Sequence, residues 1–247
     1  MNEEKFTGKA DLYDKYRPSY PDALTDWLYE KTNAGSVADI GAGTGKFTLC
    51  LSKKPWGITA VEPNPDMCSV LRKNAAFAQI VNAPAENTGI ESGSADLITV
   101  AQAFHWFDEE KFKKECKRIL KPNGRLAIVF NERSYKECDI SSERDKICQK
   151  YCGTFHSGHV GNRTSEEGDS FLRSEYFSEV EFFSAENNIT MDMETFVGDT
   201  LSRSYALEEN DPKFGEFKQE LEKLFQKYQK DGKLLIKYTC VCYLGKL

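Results

Sequence analysis

The chain has 247 residues, 40% of them hydrophobic and 12% aromatic, which suffices for one large domain with a sizeable buried core. Its 33 basic residues are outnumbered by 39 acidic ones, a formal charge of −6, and no basic run offsets this, so DNA or RNA is repelled on average. The polar start from Met1 to Lys9 has no apolar signal core, and no stretch reaches the ~20 apolar residues of a membrane span, so the expectation is a soluble cytoplasmic protein whose eight cysteines stay reduced.

Pro21 opens a helix with Leu24, Trp27 and Leu28 at i, i+3, i+4. Val37 to Ile40 is a short buried strand, and Gly41 to Gly45 a tight turn. A helix with Phe47, Cys50 and Leu51 on one face follows. Ile58 to Val61 is the second strand. Asn64 caps the next helix, with Pro65 at its first position and Met67, Val70 and Leu71 as its stripe. Ala78 to Val81 and Asp96 to Ala101 are the third and fourth strands. Asp108 caps a helix carrying Phe112, Cys116, Ile119 and Leu120, which the turn Lys121-Pro122-Asn123-Gly124 stops. Arg125 to Phe130 is the fifth strand. Beyond it, Glu143 to Tyr151 reads as a helix, and Val180 to Phe183 and Leu234 to Tyr243 as strands. Phe217, Leu221, Leu224, Phe225 and Tyr228 fall at helical spacing between those two strands.

This alternation predicts an α/β fold: a Rossmann-like, doubly wound, mostly parallel sheet, with an antiparallel last strand and a helical cap insertion. The chain reads as one domain over 1–247, with a ligand-binding core over 1–131 and the cap at about 191–230, where a lid can reach the ligand end.

The most informative string is Val37-Ala38-Asp39-Ile40-Gly41-Ala42-Gly43-Thr44-Gly45. Glycines that end a buried strand and open a helix let the backbone bend sharply and approach a ligand. A dinucleotide fingerprint needs glycine at 41, 43 and 46, but position 46 is Lys46 and the third glycine is Gly45. Asp39 lies just before the turn, where it can act on a positively charged or hydroxyl-bearing ligand. Glu62 closes the second strand 21 residues after Gly41, where a carboxylate can accept both ribose hydroxyls. Together they favour an adenosine ligand without a pyrophosphate.

Asp39-Ile40-Gly41-Ala42-Gly43-Thr44-Gly45 resembles motif I of the class I S-adenosylmethionine-dependent methyltransferases. Val61-Glu62-Pro63 resembles their acidic second-strand motif, and Ala83-Pro84-Ala85-Glu86 the segment that lines the adenine, with Pro84 where many relatives have an acid. Arg118 to Leu126 resembles the stretch before their fifth strand. Lys9 to Pro18 and Ala101 to Asp108 resemble the small-molecule subgroup related to trans-aconitate methyltransferases. The resemblance implies S-adenosylmethionine as cofactor, a small-molecule acceptor, and cofactor contacts from Tyr13, Arg17, Asp39, Gly41, Gly43, Gly45, Glu62, Pro63, Met67, Ala85, Glu86 and Gln102.

A sulfonium already carries an activated methyl group, so the enzyme mainly has to hold a nucleophile in line with it. His105 is the candidate nearest the methyl, either orienting substrate or taking a proton, or else holding its turn by hydrogen bonds. Tyr16 is the second catalytic candidate. Arg17 suits the methionine carboxylate, and Gln102 either that moiety or the turn. Trp106, Arg133, Arg203 and Tyr205 are candidate acceptor contacts, which points to a carboxylate or another oxygen nucleophile. Cys148, Cys152, His156 and His159 have metal-like spacing, but Gly153 interrupts the helix and Phe155 sits inside the cluster, so no metal is expected. Two rival functions are a nicotinamide-dependent oxidoreductase, disfavoured by Lys46, and a catalytically silent module that binds S-adenosylmethionine.

Overall fold

The computed structural model describes residues 6–133, 139–153, 160 and 163–247. A seven-stranded sheet runs in the order β3-β2-β1-β4-β5-β9-β6. β1 (Ser36–Ile40), β2 (Gly57–Val61), β3 (Gln79–Val81), β4 (Ala95–Ala101) and β5 (Leu120–Arg133) are parallel neighbours. β9 (Tyr238–Lys246) lies antiparallel to β5 and to β6 (Glu179–Glu186), as the sequence predicts for the last strand. The chain steps outward from β1 to β3, then returns to place β4 beside β1. That reversal opens a crevice at the carboxyl ends of β1 and β4, where ligands of such sheets bind.

Alternation along the strands feeds two cores. Ile98, Val100, Ile128 and Phe130 meet Phe104, Phe112 and Ile119 on one face of the sheet. Leu97, Ala127 and Val129 meet Leu24, Leu28, Phe47 and Leu51 on the other, from α2 (Asp22–Thr32) and α3 (Lys46–Leu51). The capping residues behave as expected. Asn64 accepts from the N–H groups of Asp66 and Met67 at 3.0 Å to start α4 (Pro65–Asn74), and Asp108 accepts from Lys111 N–H at 3.1 Å to start α5 (Glu109–Ile119).

Two boundaries differ from expectation. Residues 121–124 form a bulge inside β5 rather than a turn before it: Ala95 pairs with Leu120, and Leu97 already with Arg125. The run from Leu234 to Tyr243 is two strands. β8 (Leu234–Ile236) pairs with β7 (Ile189–Met191) in a separate two-stranded sheet, and β9 begins after Lys237. Lys237, the charged residue within the run, marks the break.

The cap therefore has the β7–β8 pair at its base, with α8 (Met193–Leu201) and α9 (Phe214–Tyr228) above. α6 (Asp139–Cys152) joins it through Ile140 and Cys148, packed with Phe196, Phe217, Leu221 and Phe225. The N-terminal helix α1 (Ala10–Tyr16) lies against α8. Among the described residues, no helix is long and apolar enough to cross a membrane.

Candidate active site

The three turn glycines serve three purposes, and all have positive φ, which L side chains rarely adopt. A Cβ on Gly41 would lie 2.6 Å from that of Ala103, so the turn can sit against the loop after β4 only without one. A Cβ on Gly45 would lie 2.8 Å from Leu71 Cδ1, where α3 meets α4. Gly43 faces the crevice with only Tyr13 Cε1 near, at 3.9 Å.

The crevice is open to solvent and holds about 870 Å³ of empty space. Gly41, Gly43, Glu62, Pro63, Met67, Ala85, Glu86, Gln102, Tyr13 and Trp106 line it, as the sequence suggested. Phe6, Asn64, Ala101, Ala103 and Phe107 line it too and were missed. Phe6 stacks edge-on against both Tyr13 (5.9 Å) and Trp106 (5.7 Å), so these three rings build one aromatic wall. Trp106 after β4 and Tyr13 in the arm were visible signals; Phe6 lies in the stretch 1–9, which reads as polar.

Glu62 is buried and holds the glycine turn. Its Oε2 accepts from Gly43 N–H at 2.8 Å and its Oε1 from Asn64 N–H at 2.9 Å. The carboxylate thus reaches the crevice in a fixed orientation, which suits the ribose diol of an adenosine ligand. Gln102 follows β4 with φ of 56°, an uncommon backbone state for a side-chain-bearing residue, and donates from Nε2 to Asn131 O at 3.0 Å. Asn131 in turn donates to Ser19 O at 3.1 Å and accepts from Asn187 at 3.1 Å, an amide network at the end of β5 that sequence reasoning did not find.

Several expected contacts lie elsewhere. Asp39 does not line the crevice; it is buried beneath the turn, accepting from Thr48 Oγ1 at 2.6 Å and Thr99 Oγ1 at 2.9 Å. Burial pushes its carboxyl up to about 6, against the pull of those two hydroxyls. Gly45 is a packing position. Tyr16 is turned from the crevice, its ring beneath Gly198 and its hydroxyl donating to Glu194 at 2.8 Å. His105 sits on a 3-10 turn (Phe104–Trp106) outside the crevice lining, its ring 4.7 Å from that of Trp106. Arg17 covers the Tyr13 ring at 5.1 Å and reaches toward Asp199 at 3.7 Å.

The acceptor candidates are also engaged. Arg133 donates to Asp145 at 3.2 Å, and Arg203 to Asp199 at 2.8 Å. Tyr205 packs on the cap core near both Arg203 and Arg144. Long side chains at the end of β5 and in the cap find carboxylates that spacing alone does not show. Of the cysteine–histidine string, His156 and His159 lie outside the described residues. Cys148 is buried, which pushes its thiol up to about 11, and a thiolate ligand is disfavoured there. Among the described residues no cluster of three ligating side chains occurs.

Comparison with known proteins agrees with this geometry. The methyltransferase-domain family matches residues 38–128. An uncharacterized methyltransferase of Mycobacterium tuberculosis is 42% identical over 130 residues, 52% of each chain. An uncharacterized methyltransferase-like protein of Schizosaccharomyces pombe is 40% identical over 133 residues, 51% of this chain and 52% of that one. The chain thus spans about half the length of the curated relatives it matches. A solved structure from Anaeromyxobacter dehalogenans, described as a type II methyltransferase, superposes with a TM-score of 0.68 at 23% identity, over 94% of this chain and 98% of that one, a likeness of fold. The glycine turn, the fixed Glu62 carboxylate and the aromatic wall lie in or against the segment that matches the methyltransferase-domain family.

Proposed function

We propose that the whole protein is a cytoplasmic enzyme that moves a methyl group from S-adenosylmethionine to a small-molecule acceptor, a carboxylate or other oxygen nucleophile, and that nucleic acid is not its substrate. The bound cofactor supplies a methyl group activated by the adjacent sulfonium. The chain's residues hold both partners and exclude water. Glu62 and the open face of Gly43 suit the ribose end, and Met67 and Ala85 give apolar surface for the adenine. Phe6, Tyr13 and Trp106 wall the reacting end. His105 acts through the Trp106 ring it lies against, as a positioning residue.

The observation that carries the acceptor class is the character of the crevice lining. Among the described residues its only acids are Glu62 and Glu86; Glu62 is held by two backbone N–H groups, and Glu86 accepts from Asp108 N–H at 2.8 Å. No histidine or lysine among the described residues lines it. An ionised carboxylate is already a competent nucleophile and asks for no base, whereas an ammonium or hydroxyl must lose a proton. Transfer to a carboxylate also neutralises both charges, which a dry, aromatic site favours.

The test is release of S-adenosylhomocysteine across a panel of small carboxylic acids, phenols and amines. Turnover concentrated among the acids is expected. A cationic amine as best acceptor contradicts the acceptor class alone. Cofactor binding with no turnover on any member favours the silent binding module instead.

A further inference from the structure

Where α1, α6 and α8 meet, the fold buries a second group of chemically active side chains. Asp199 on α8 is wholly buried, and three guanidinium groups converge on its single carboxylate. Arg203 Nη2 stands at 2.8 Å, Arg144 Nη1 at 3.0 Å and Arg17 Nη1 at 3.7 Å. One negative charge against three positive ones leaves an excess of two. Arg133 has its own acid, Asp145, and adds nothing to that excess.

Little of the excess reaches the surface: the Arg144 side chain is 1% exposed, that of Arg203 12% and that of Arg17 19%. Nor are its donors used up. Arg144 Nε and Nη2 and Arg203 Nε donate to no acceptor, and the buried hydroxyls of Ser141 and Tyr238 have no partner. Ser141 lies one turn before Arg144 on α6, and Tyr238 is close enough to interact electrostatically with both arginines. Buried donors are nearly always satisfied in folded proteins, and buried charges are paired. Water could occupy the donors but would leave the charge. Planar guanidinium forks match the two oxygens of a carboxylate or a phosphate. The cluster also adjoins the crevice, because Arg17 lies over the Tyr13 ring that walls it.

We infer that Arg17, Arg144 and Arg203 around Asp199 form a binding site for an oxyanion, carboxylate or phosphate, borne by the methyl acceptor. This rests on the methyl-transfer reading for the identity of the ligand, not for the site itself. The arm that carries Arg17 is tied to the cap by Lys15 and Tyr16, which donate to Glu194, and by Lys9, which donates to Arg203 O at 3.1 Å and Ala206 O at 2.7 Å.

The probes are malonate and inorganic phosphate, with malonamide and chloride as neutral and simple-ion controls at matched ionic strength, read by melting temperature and calorimetry. Saturable binding of malonate or phosphate, raising the melting temperature by a few degrees, is expected, with neither control acting; which of the two binds tighter identifies the oxyanion. Arg203→Met should weaken that binding at least tenfold while S-adenosylhomocysteine affinity stays within twofold. Should Arg203→Met fail to fold, Arg17→Met decides, since Arg17 lies at the margin of the cluster; a loss of fivefold or more is expected. Absence of saturable binding of either anion to the wild type, with and without S-adenosylhomocysteine, overturns the inference, as does unchanged anion affinity in the deciding variant. If the anion behaves as expected but S-adenosylhomocysteine does not bind the wild type, the site stands and the methyl-transfer reading falls.

Discussion

Glu62 ties the glycine turn to the second strand and faces the crevice at once, so its removal has two consequences. Glu62→Ala should lose about 1.5–3 kcal/mol of S-adenosylhomocysteine affinity, the scale of hydrogen bonds to a charged acceptor, and should also lower the melting temperature because Gly43 N–H loses its acceptor. Glu62→Gln keeps one acceptor oxygen and should fall between. Calorimetry on both variants checks this, and an unchanged dissociation constant contradicts the ribose role. Asp39 gives a prediction about pH. Its carboxyl is raised from the ordinary 3.8 to about 6 by burial, so between those values the folded protein binds more protons than the unfolded chain. The stability contribution of protonated Asp39 is present at the acid end of that window and is lost as pH rises through about 6, on the order of 3 kcal/mol in all. In Asp39→Asn that dependence should vanish, so the wild type should lose stability relative to the variant between pH 4.5 and 6.5. A difference that is flat with pH sinks this reading. Both residues stood out in the sequence, Asp39 in the glycine-turn motif and Glu62 in the acidic second-strand motif. That one faces the crevice and the other the hydroxyls of Thr48 and Thr99 depends on strand pleat, which a five-residue strand does not display.

At the scale of elements, the interface of α1 with α8 depends on one absent side chain. A Cβ on Gly198 would lie 2.6 Å from Tyr16 Cε2, so Gly198→Ala should push the two helices apart. An overpacking cost of about 1–3 kcal/mol is expected, with faster amide exchange across Ala10–Tyr16. Unchanged exchange there shows that the arm is held otherwise, for example by Lys9, which donates to Ala206 O at 2.7 Å. The strands and helices of the first half were legible because each carries its own punctuation: Asn64 and Pro65, Asp108, and the glycines of the turn. The cap was legible only as an insertion. The strands of its two-stranded base are only three residues each, too short to show a period, and α6 joins it from outside the expected bounds. Arg144 and Asp199 are equally silent, since such residues are ordinarily solvated. The one available hint was Asp199 four residues before Arg203 in an apolar helix beside a glycine.

Over the whole molecule, the sheet's reversal places the glycine turn, Glu62 and the loop after β4 around one crevice, and the N-terminal arm adds Phe6 and Tyr13 to its lining. Matches to curated relatives reach only about half of the chain, and the methyltransferase-domain family matches residues 38–128, ahead of the cap. His105 belongs to this scale, because it lies against the wall rather than in it. His105→Ala should lower the turnover number at least fivefold with cofactor affinity unchanged, and equal turnover would assign the ring to holding its turn. The central claim is that the crevice is built for an adenosine ligand with a methionine tail and not for a dinucleotide, since Lys46 stands where a pyrophosphate turn needs glycine. Isothermal calorimetry of the purified protein with S-adenosylhomocysteine and with NAD tests it most directly. The account predicts one saturable site for S-adenosylhomocysteine and none for NAD; tighter binding of NAD, or no binding of S-adenosylhomocysteine, would contradict it.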